Sequence, residues 1–380
     1  MCQLAHFHYF CPSSAAMAKK EKDFTTALKV LEGIDPPGQV NVNAISKLRG
    51  MRKHLLKARE YTEGILQGNR TVLSQAITLV ESALPNHQVL AQEIIMHCLP
   101  RAGNSLRLGI TGVPGVGKST FIEVFGRYLT SLGKKVAVLA IDPSSQRTKG
   151  SILGDKTRME ALANDPDAFI RPSPSAGSLG GVARKTRETM LLCEAAGFDT
   201  IVIETVGVGQ SETAVHSMVD FFLLLMLPGA GDELQGIKRG IMEMADAILI
   251  NKADGNQIPL ANLAKAQYQN ALHLFPPAPS GWTPKVGLCS ARSDTGIREC
   301  WDLIMEYSEF TGKNGYFLQK RTEQSRNIMY ETIEEQLKHN FYRSPQVMKR
   351  LQQLEMEVRE NKMSSYVAAI ELLALYTGKK

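Results

Sequence analysis

The sequence predicts an α/β protein in which a mostly parallel sheet is covered on both faces by helices and flanked by helical regions at each end. Two observations carry this. Between about residues 104 and 312, six short apolar runs alternate with amphipathic stretches. The first run leads straight into a glycine-rich loop and then a helix. Runs that are apolar throughout belong to strands buried on both faces, and the helices between them supply the crossovers that parallel strands need.

Residues 1–23 read as a tail or targeting segment: the first twenty contain no Asp, Glu or Arg and end in Lys19-Lys20. Residues 24–103 read as helical. Leu48, Met51, Leu55 and Leu56 fall near one face, Val72, Ala76, Ile77 and Val80 make a second, and 89–98 a third. The central part, 104–312, places strands at 106–111, 136–141, 200–204, 221–227, 247–251 and 285–290. Residues 313–380 return to helix, with Ser344-Pro345 as a cap and first turn and a stripe of Tyr366, Ile370 and Leu373. That stripe suits a core or a dimer contact.

The loop Gly112-Val113-Pro114-Gly115-Val116-Gly117-Lys118-Ser119-Thr120 fits the phosphate-binding pattern G-x-x-x-x-G-K-[ST]. Its glycines let backbone N–H groups turn around an anion, and the dipole of the helix that follows adds to the same point. That helix carries Phe121, Ile122, Val124, Phe125, Tyr128 and Leu129 on its apolar side. Lys118 is expected to reach the β- and γ-phosphates of a nucleoside triphosphate, and Ser119 to ligate Mg²⁺.

A second motif names the base. Asn251-Lys252-Ala253-Asp254 ends a strand as N-K-x-D. The Asp254 carboxylate only accepts, and guanine offers it two donors, N1–H and the exocyclic amine. Adenine would leave that carboxylate desolvated and unpaired. Lys252 is expected to stack its stem on the base and Asn251 to tie this loop to the phosphate loop. Ser290-Ala291-Arg292, at the end of the last strand, is expected to supply a second base-contacting loop through the Ala291 N–H. GTP and GDP are the implied ligands, and a P-loop GTPase the implied fold.

Four oxygen groups are candidates for the metal: Ser119, Asp142 at a strand end, Asp155 on a loop able to close over the γ-phosphate, and Glu204. Glu204 is followed by Gly207, giving E-x-x-G where many GTPases carry D-x-x-G. The Gly207 N–H would sense the γ-phosphate, making 206–212 a switch. Val208 follows Gly207 where a water-orienting glutamine stands in Ras-like enzymes, and Gln210 is out of register. Slow intrinsic hydrolysis, accelerated by a partner, is therefore expected.

Several longer strings resemble the MMAA/MeaB (ArgK) GTPases: Ile203-Glu-Thr-Val-Gly-Val-Gly-Gln-Ser-Glu212, Leu227-Pro-Gly-Ala-Gly-Asp-Glu-Leu-Gln-Gly-Ile-Lys238, Asp142-Pro-Ser-Ser and Leu153-Gly-Asp-Lys-Thr-Arg-Met159. Ile65-Leu-Gln-Gly-Asn-Arg70 and Ala76-Ile-Thr-Leu-Val-Glu-Ser82 join them; the resemblance is strong over about 60–312 and looser beyond. It implies a homodimeric G-protein chaperone that gates delivery of adenosylcobalamin to methylmalonyl-CoA mutase, and protects or reactivates that enzyme. It also implies a mitochondrial matrix location for animal members, with the cytoplasm as the alternative. Carried over from it, 231–238 becomes a further switch and Lys238 a candidate for activating hydrolysis, beside Lys118 and Glu204. The segment 178–187, with its glycines and Arg184, Lys185 and Arg187, faces either nucleotide or partner.

Other function classes find less support. The net charge of +6 is spread along the 380 residues, so nucleic acid is not implied. No apolar run reaches membrane-span length. Six scattered cysteines, without C-x-x-C, read as reduced thiols. A small-molecule kinase would need an acceptor pocket rather than guanine selection, and a metal-insertion GTPase would need clustered soft or imidazole ligands. None of the eight histidines has Asp two positions earlier, so cobalamin is expected to act only through the partner.

Overall fold

The computed structural model describes residues 55–142, 159–174, 179–205, 211–229 and 239–378. Expectations for residues 1–54, for Asp155, for Gly207 and for the Gly231–Lys238 segment lie outside these. From Leu56 onward the chain forms one unit.

Seven strands make the sheet of the described residues, in the order β3-β2-β4-β1-β5-β6-β7, with every neighbouring pair parallel. They are β1 (Leu106–Gly112), β2 (Val136–Asp142), β3 (Ala168–Pro174), β4 (Thr200–Thr205), β5 (Phe221–Met226), β6 (Ala247–Ile250) and β7 (Lys285–Leu288). β1, the strand that feeds the phosphate loop, sits in the middle between β4 and β5. β4, β5 and β6 are buried at every position, as continuous apolar runs demand.

The sequence reading missed β3. Its Ala-Phe-Ile-Arg-Pro-Ser-Pro carries two prolines, which argue against a strand in a sheet interior. β3 lies at the edge, where one side has no ladder to break. The last strand is also shorter than expected: it stops at Leu288, and Ser290 instead forms an isolated antiparallel bridge with Thr295 inside a turn.

Side chains alternate across each strand, so each strand feeds two cores. On one face Leu108, Ile110, Val138 and Val202 meet Phe121 and Phe125 of α4 (Lys118–Ser131) and Trp301 of α10 (Ile297–Lys313). On the other, Leu139, Ile201, Ile203 and Phe222 meet α6 (Leu179–Ala195), α7 (Ser211–His216) and three N-terminal helices. These three are α1 (Ala58–Leu66), α2 (Arg70–Glu81) and α3 (Pro85–Cys98). In α2 the buried stripe is Leu73, Ala76, Ile77, Leu79 and Val80, with Val72 only partly covered; in α3 it is Ala91, Ile94, Ile95 and Cys98, while Val89 is exposed.

The short α5 (Glu160–Ala163) precedes β3, and α8 (Arg239–Met244) precedes β6. α9 (Ile258–Leu272) covers the β6 and β7 end of the sheet through Ala261, Ala264 and Tyr268. Beyond α10 come α11 (Tyr316–Arg343), α12 (Pro345–Arg359) and α13 (Ser365–Thr377). α12 and α13 share a small core of Val347, Leu354, Ala368 and Leu372. Tyr366, Ile370 and Leu373 face away from it and are exposed, so the stripe read from the sequence is no part of this chain's core.

A polar network fixes the root of α11 at the amino ends of the strands. Arg321 Nε and Nη2 donate to Asp220, at 2.8 and 2.6 Å, and both terminal nitrogens also reach the Gly103 and Ser105 carbonyls. Lys320 Nζ donates to the Asp220 carbonyl (2.9 Å) and Gln324 Nε2 to the Val219 carbonyl (2.8 Å). Beside it, Glu194 of α6 accepts from Arg107 Nε (2.8 Å), Ser105 Oγ (2.6 Å) and the Gly103 N–H (2.7 Å). Burial opposes ionisation of Glu194, but the Arg107 guanidinium and these donors win and hold its carboxyl below the usual range.

Candidate nucleotide site

The motif residues within the described part converge at the carboxyl ends of β1, β4, β6 and β7, where ligands of open parallel sheets sit. β1 ends at Gly112, against the end of β5. A Cβ added there would collide with the Leu225 carbonyl oxygen, so a side chain would push the loop off the sheet. Gly117 takes φ +89°, a left-handed turn that aims the first turn of α4 back over the loop. Val116 points into the core and anchors the loop, while Pro114, Gly115 and Thr120 are exposed.

Lys118 is buried, and its Nζ donates to the Gly112 carbonyl at 2.9 Å and to Val113 at 3.5 Å. Its ammonium therefore lies over the mouth of its own loop. Burial lowers its pKa, while the carboxylates of Glu204 and Glu212 act the other way. Glu212, in the first turn of α7, is itself buried. Sequence reading placed Glu212 only at the end of a switch. Its local pattern, Ser211-Glu212-Thr213-Ala214-Val215-His216, carries no signal that singles it out.

Two of the four candidate metal groups meet: Ser119 Oγ donates to Glu204 Oε1 at 3.0 Å, across 85 positions of sequence. Glu204 is buried where β4 ends. Asp142 ends β2 at the same edge of the sheet, one strand further out. Immediately after Glu204, Thr205 Oγ1 donates to Thr111 Oγ1 at 2.9 Å, both residues being fully buried.

The base-side loop is tied to the phosphate loop in two places. Asn251 Nδ2 donates to the Val116 carbonyl at 2.8 Å, and Lys252 Nζ to the Gly115 carbonyl at 2.8 Å. Lys252 adopts φ +60°, a conformation that costs a non-glycine residue energy and that the surrounding bonds maintain. Asn251 Oδ1 faces the Ala291 N–H at 3.3 Å and the Cys289 thiol at 3.6 Å. In this arrangement the Ala291 N–H serves Asn251, whereas the sequence reading assigned it to the base. Ser290 Oγ donates to Asp254 Oδ2 and accepts from the Ser293 N–H at 3.3 Å, so the serine orients the acid. Arg292 is exposed. Burial pushes the Cys289 thiol up to about 12, which keeps it a neutral packing group beside Asn251.

Comparison with known proteins bears on what this site serves. The family model described as methylmalonyl-CoA mutase-associated GTPase MeaB matches residues 73–346. GTPase ArgK of Escherichia coli is 48% identical over 298 residues, spanning 78% of this chain and 90% of that protein. The methylmalonic aciduria type A homolog, mitochondrial, of Mus musculus is 45% identical over 331 residues, covering 84% of this chain and 80% of the mouse protein. Among solved structures, a LAO/AO transport system kinase superposes with a TM-score of 0.69 at 38% identity, over 85% of this chain and all of that one.

Proposed function

This chain belongs to the MeaB family of methylmalonyl-CoA mutase-associated GTPases, and on that premise we propose that it is a GTP-driven chaperone of that mutase. It is a P-loop GTPase, and its ligands are GTP and GDP. In the proposed cycle, binding and hydrolysis of GTP gate the loading of adenosylcobalamin onto the mutase and protect or reactivate it. Cobalamin is handled through the partner. A homodimer, joined through the C-terminal helices, and a mitochondrial location, which the name of the mouse relative carries, complete the reading.

The observation that carries the nucleotide part is the pair of bonds from Asn251 and Lys252 to the phosphate loop. They hold the base-reading acid Asp254 at a fixed reach from the phosphate cradle. The backbone N–H groups of 115–119 and the Lys118 ammonium take the phosphate charge; Lys118 exchanges its contact with the Gly112 carbonyl for phosphate oxygens. Asp254, oriented by Ser290, accepts from guanine N1–H and its amine.

The Ser119 hydroxyl and the buried Glu204 carboxylate are hard oxygen donors in contact, a set that fits Mg²⁺ with water and phosphate completing its shell. When bound, that ion supplies charge neutralisation at the β- and γ-phosphates. Asp142, Asp155, Gly207 and Lys238 are proposed for this end of the site, Lys238 as the group that answers mutase binding.

GTP hydrolysis measured with and without methylmalonyl-CoA mutase tests the proposal. Slow phosphate release that rises on adding the mutase, and that needs no phosphate acceptor, is the expected result. A rate indifferent to the mutase would sink the chaperone reading. Phosphate transferred only to an added metabolite would instead favour the kinase chemistry in the name of the superposed structure.

A further inference from the structure

We infer that Thr111 and Thr205 are a pair of positioning residues: their side-chain hydrogen bond holds the end of β4 against the phosphate-loop strand and so sets Glu204 at Ser119. The inference rests on the reading of Glu204 and Ser119 as the magnesium side of the site.

The backbone register shows why a side-chain bond matters here. The last paired rung between β1 and β4 is Ile110 with Glu204. β1 runs on beyond it, paired on its other side to β5 through Thr111 with Leu224 and Gly112 with Leu225. β4 runs on too, with Thr205 paired to Ile141 of β2. Between those two continuations the Thr205 hydroxyl, donating to Thr111 Oγ1 at 2.9 Å, is the link one step past the last β1–β4 rung.

Alternation of side chains then places the two bonds on opposite faces. Glu204 leaves β4 toward α4, where it meets Ser119. Thr205 leaves toward the face that holds Ile203, Val215 and Phe222. The strand end is gripped from both sides at the level where the chain passes into residues 206–210.

Both residues are fully buried, and the face they share also holds the apolar side chains of Ile203, Val215 and Phe222. Valine has the same shape, and replacing both members of a buried hydrogen-bonded pair by apolar isosteres is close to neutral for stability. What the hydroxyls add is a fixed distance between β1 and β4.

Thr205→Val, Thr111→Val and the double variant test this, with Thr205→Ser as the rescue and Glu204→Gln as the control. The readout is the Mg²⁺ concentration that half-saturates tight binding of a fluorescent non-hydrolysable GTP analogue, alongside its affinity without Mg²⁺ and the thermal midpoint. Each single valine variant should raise the Mg²⁺ requirement by about three- to tenfold, the equivalent of one hydrogen bond. Metal-free affinity should hold throughout. The thermal midpoint should hold in the double variant and fall somewhat in each single one, where a buried hydroxyl loses its partner. Thr205→Ser should restore the wild-type requirement, and the double variant should be no worse than either single. An unchanged requirement in both valine variants, while Glu204→Gln raises it, overturns the pair alone. An unchanged requirement in Glu204→Gln overturns the magnesium reading on which it rests. Parallel loss of metal-free affinity and thermal midpoint in the double variant would make the pair merely structural and also overturn it.

Discussion

At the scale of single residues, Asp254 and His216 make opposite demands on their surroundings. Asp254 works as a carboxylate that takes one donor from Ser290 and two more from guanine, the serine fixing how its oxygens are aimed. Asp254→Asn should therefore turn a preference for GTP toward xanthosine triphosphate, with GTP affinity falling by roughly 10- to 100-fold; competition between the two nucleotides for one fluorescent analogue reads this directly. His216 is half-buried on α7, edge-on to Phe222 with ring centroids 5.5 Å apart. Burial first, and the charge of Lys320 second, lower its pKa to about 4. The unfolded chain takes up a proton near pH 6.5 that the folded chain refuses until about pH 4. This contribution is intact above pH 6.5 and is lost as pH falls through that window. His216→Leu, which keeps an apolar partner for Phe222, should flatten the fall of stability between those pH values, as measured by urea midpoints across the range.

At the scale of elements, local signals and register divide the work. The strands that carry the site were readable because a strand buried on both faces has to be apolar throughout, and the phosphate loop because its glycines and lysine are contiguous. β3 was not, because an edge position excuses prolines that a central one forbids. The meeting of Ser119 with Glu204, and of Thr111 with Thr205, was equally hidden: pairing of strands some ninety residues apart creates both contacts, and no local pattern encodes that register. Helix ends follow local rules again. The Asn69 side chain caps α2 by accepting from the Thr71 and Val72 N–H groups at 3.0 and 3.2 Å. Asn69→Ala should cost about 1 kcal/mol of stability, seen in a denaturant titration, with nucleotide affinity untouched because α2 packs away from the loop.

At the scale of the whole molecule, α11 is held firmly at one end. Its first turns grip residues 219 and 220 through Lys320, Arg321 and Gln324, while further along a cavity of about 820 Å³ opens between α7 and the helix at Thr213, Ser217, Lys338 and Tyr342. Arg321→Ala would leave the buried Asp220 carboxylate without its guanidinium, the Arg107 N–H still donating to it at 2.8 Å, and should cost about 3–5 kcal/mol. Denaturant unfolding would show this, and a loss below about 1 kcal/mol would mean that the network is slack. The central place of β1 has a consequence for how the protein is made. During synthesis its emerging strand has no partner: Thr205 arrives 94 positions later, and Asn251 reaches back 135 positions to close the loop at Val116. Such distant pairings are slow to form. The nucleotide site therefore cannot close until residue 251 has been made, and a nascent chain cut before Asn251 should carry the phosphate-loop sequence without the ability to select guanine.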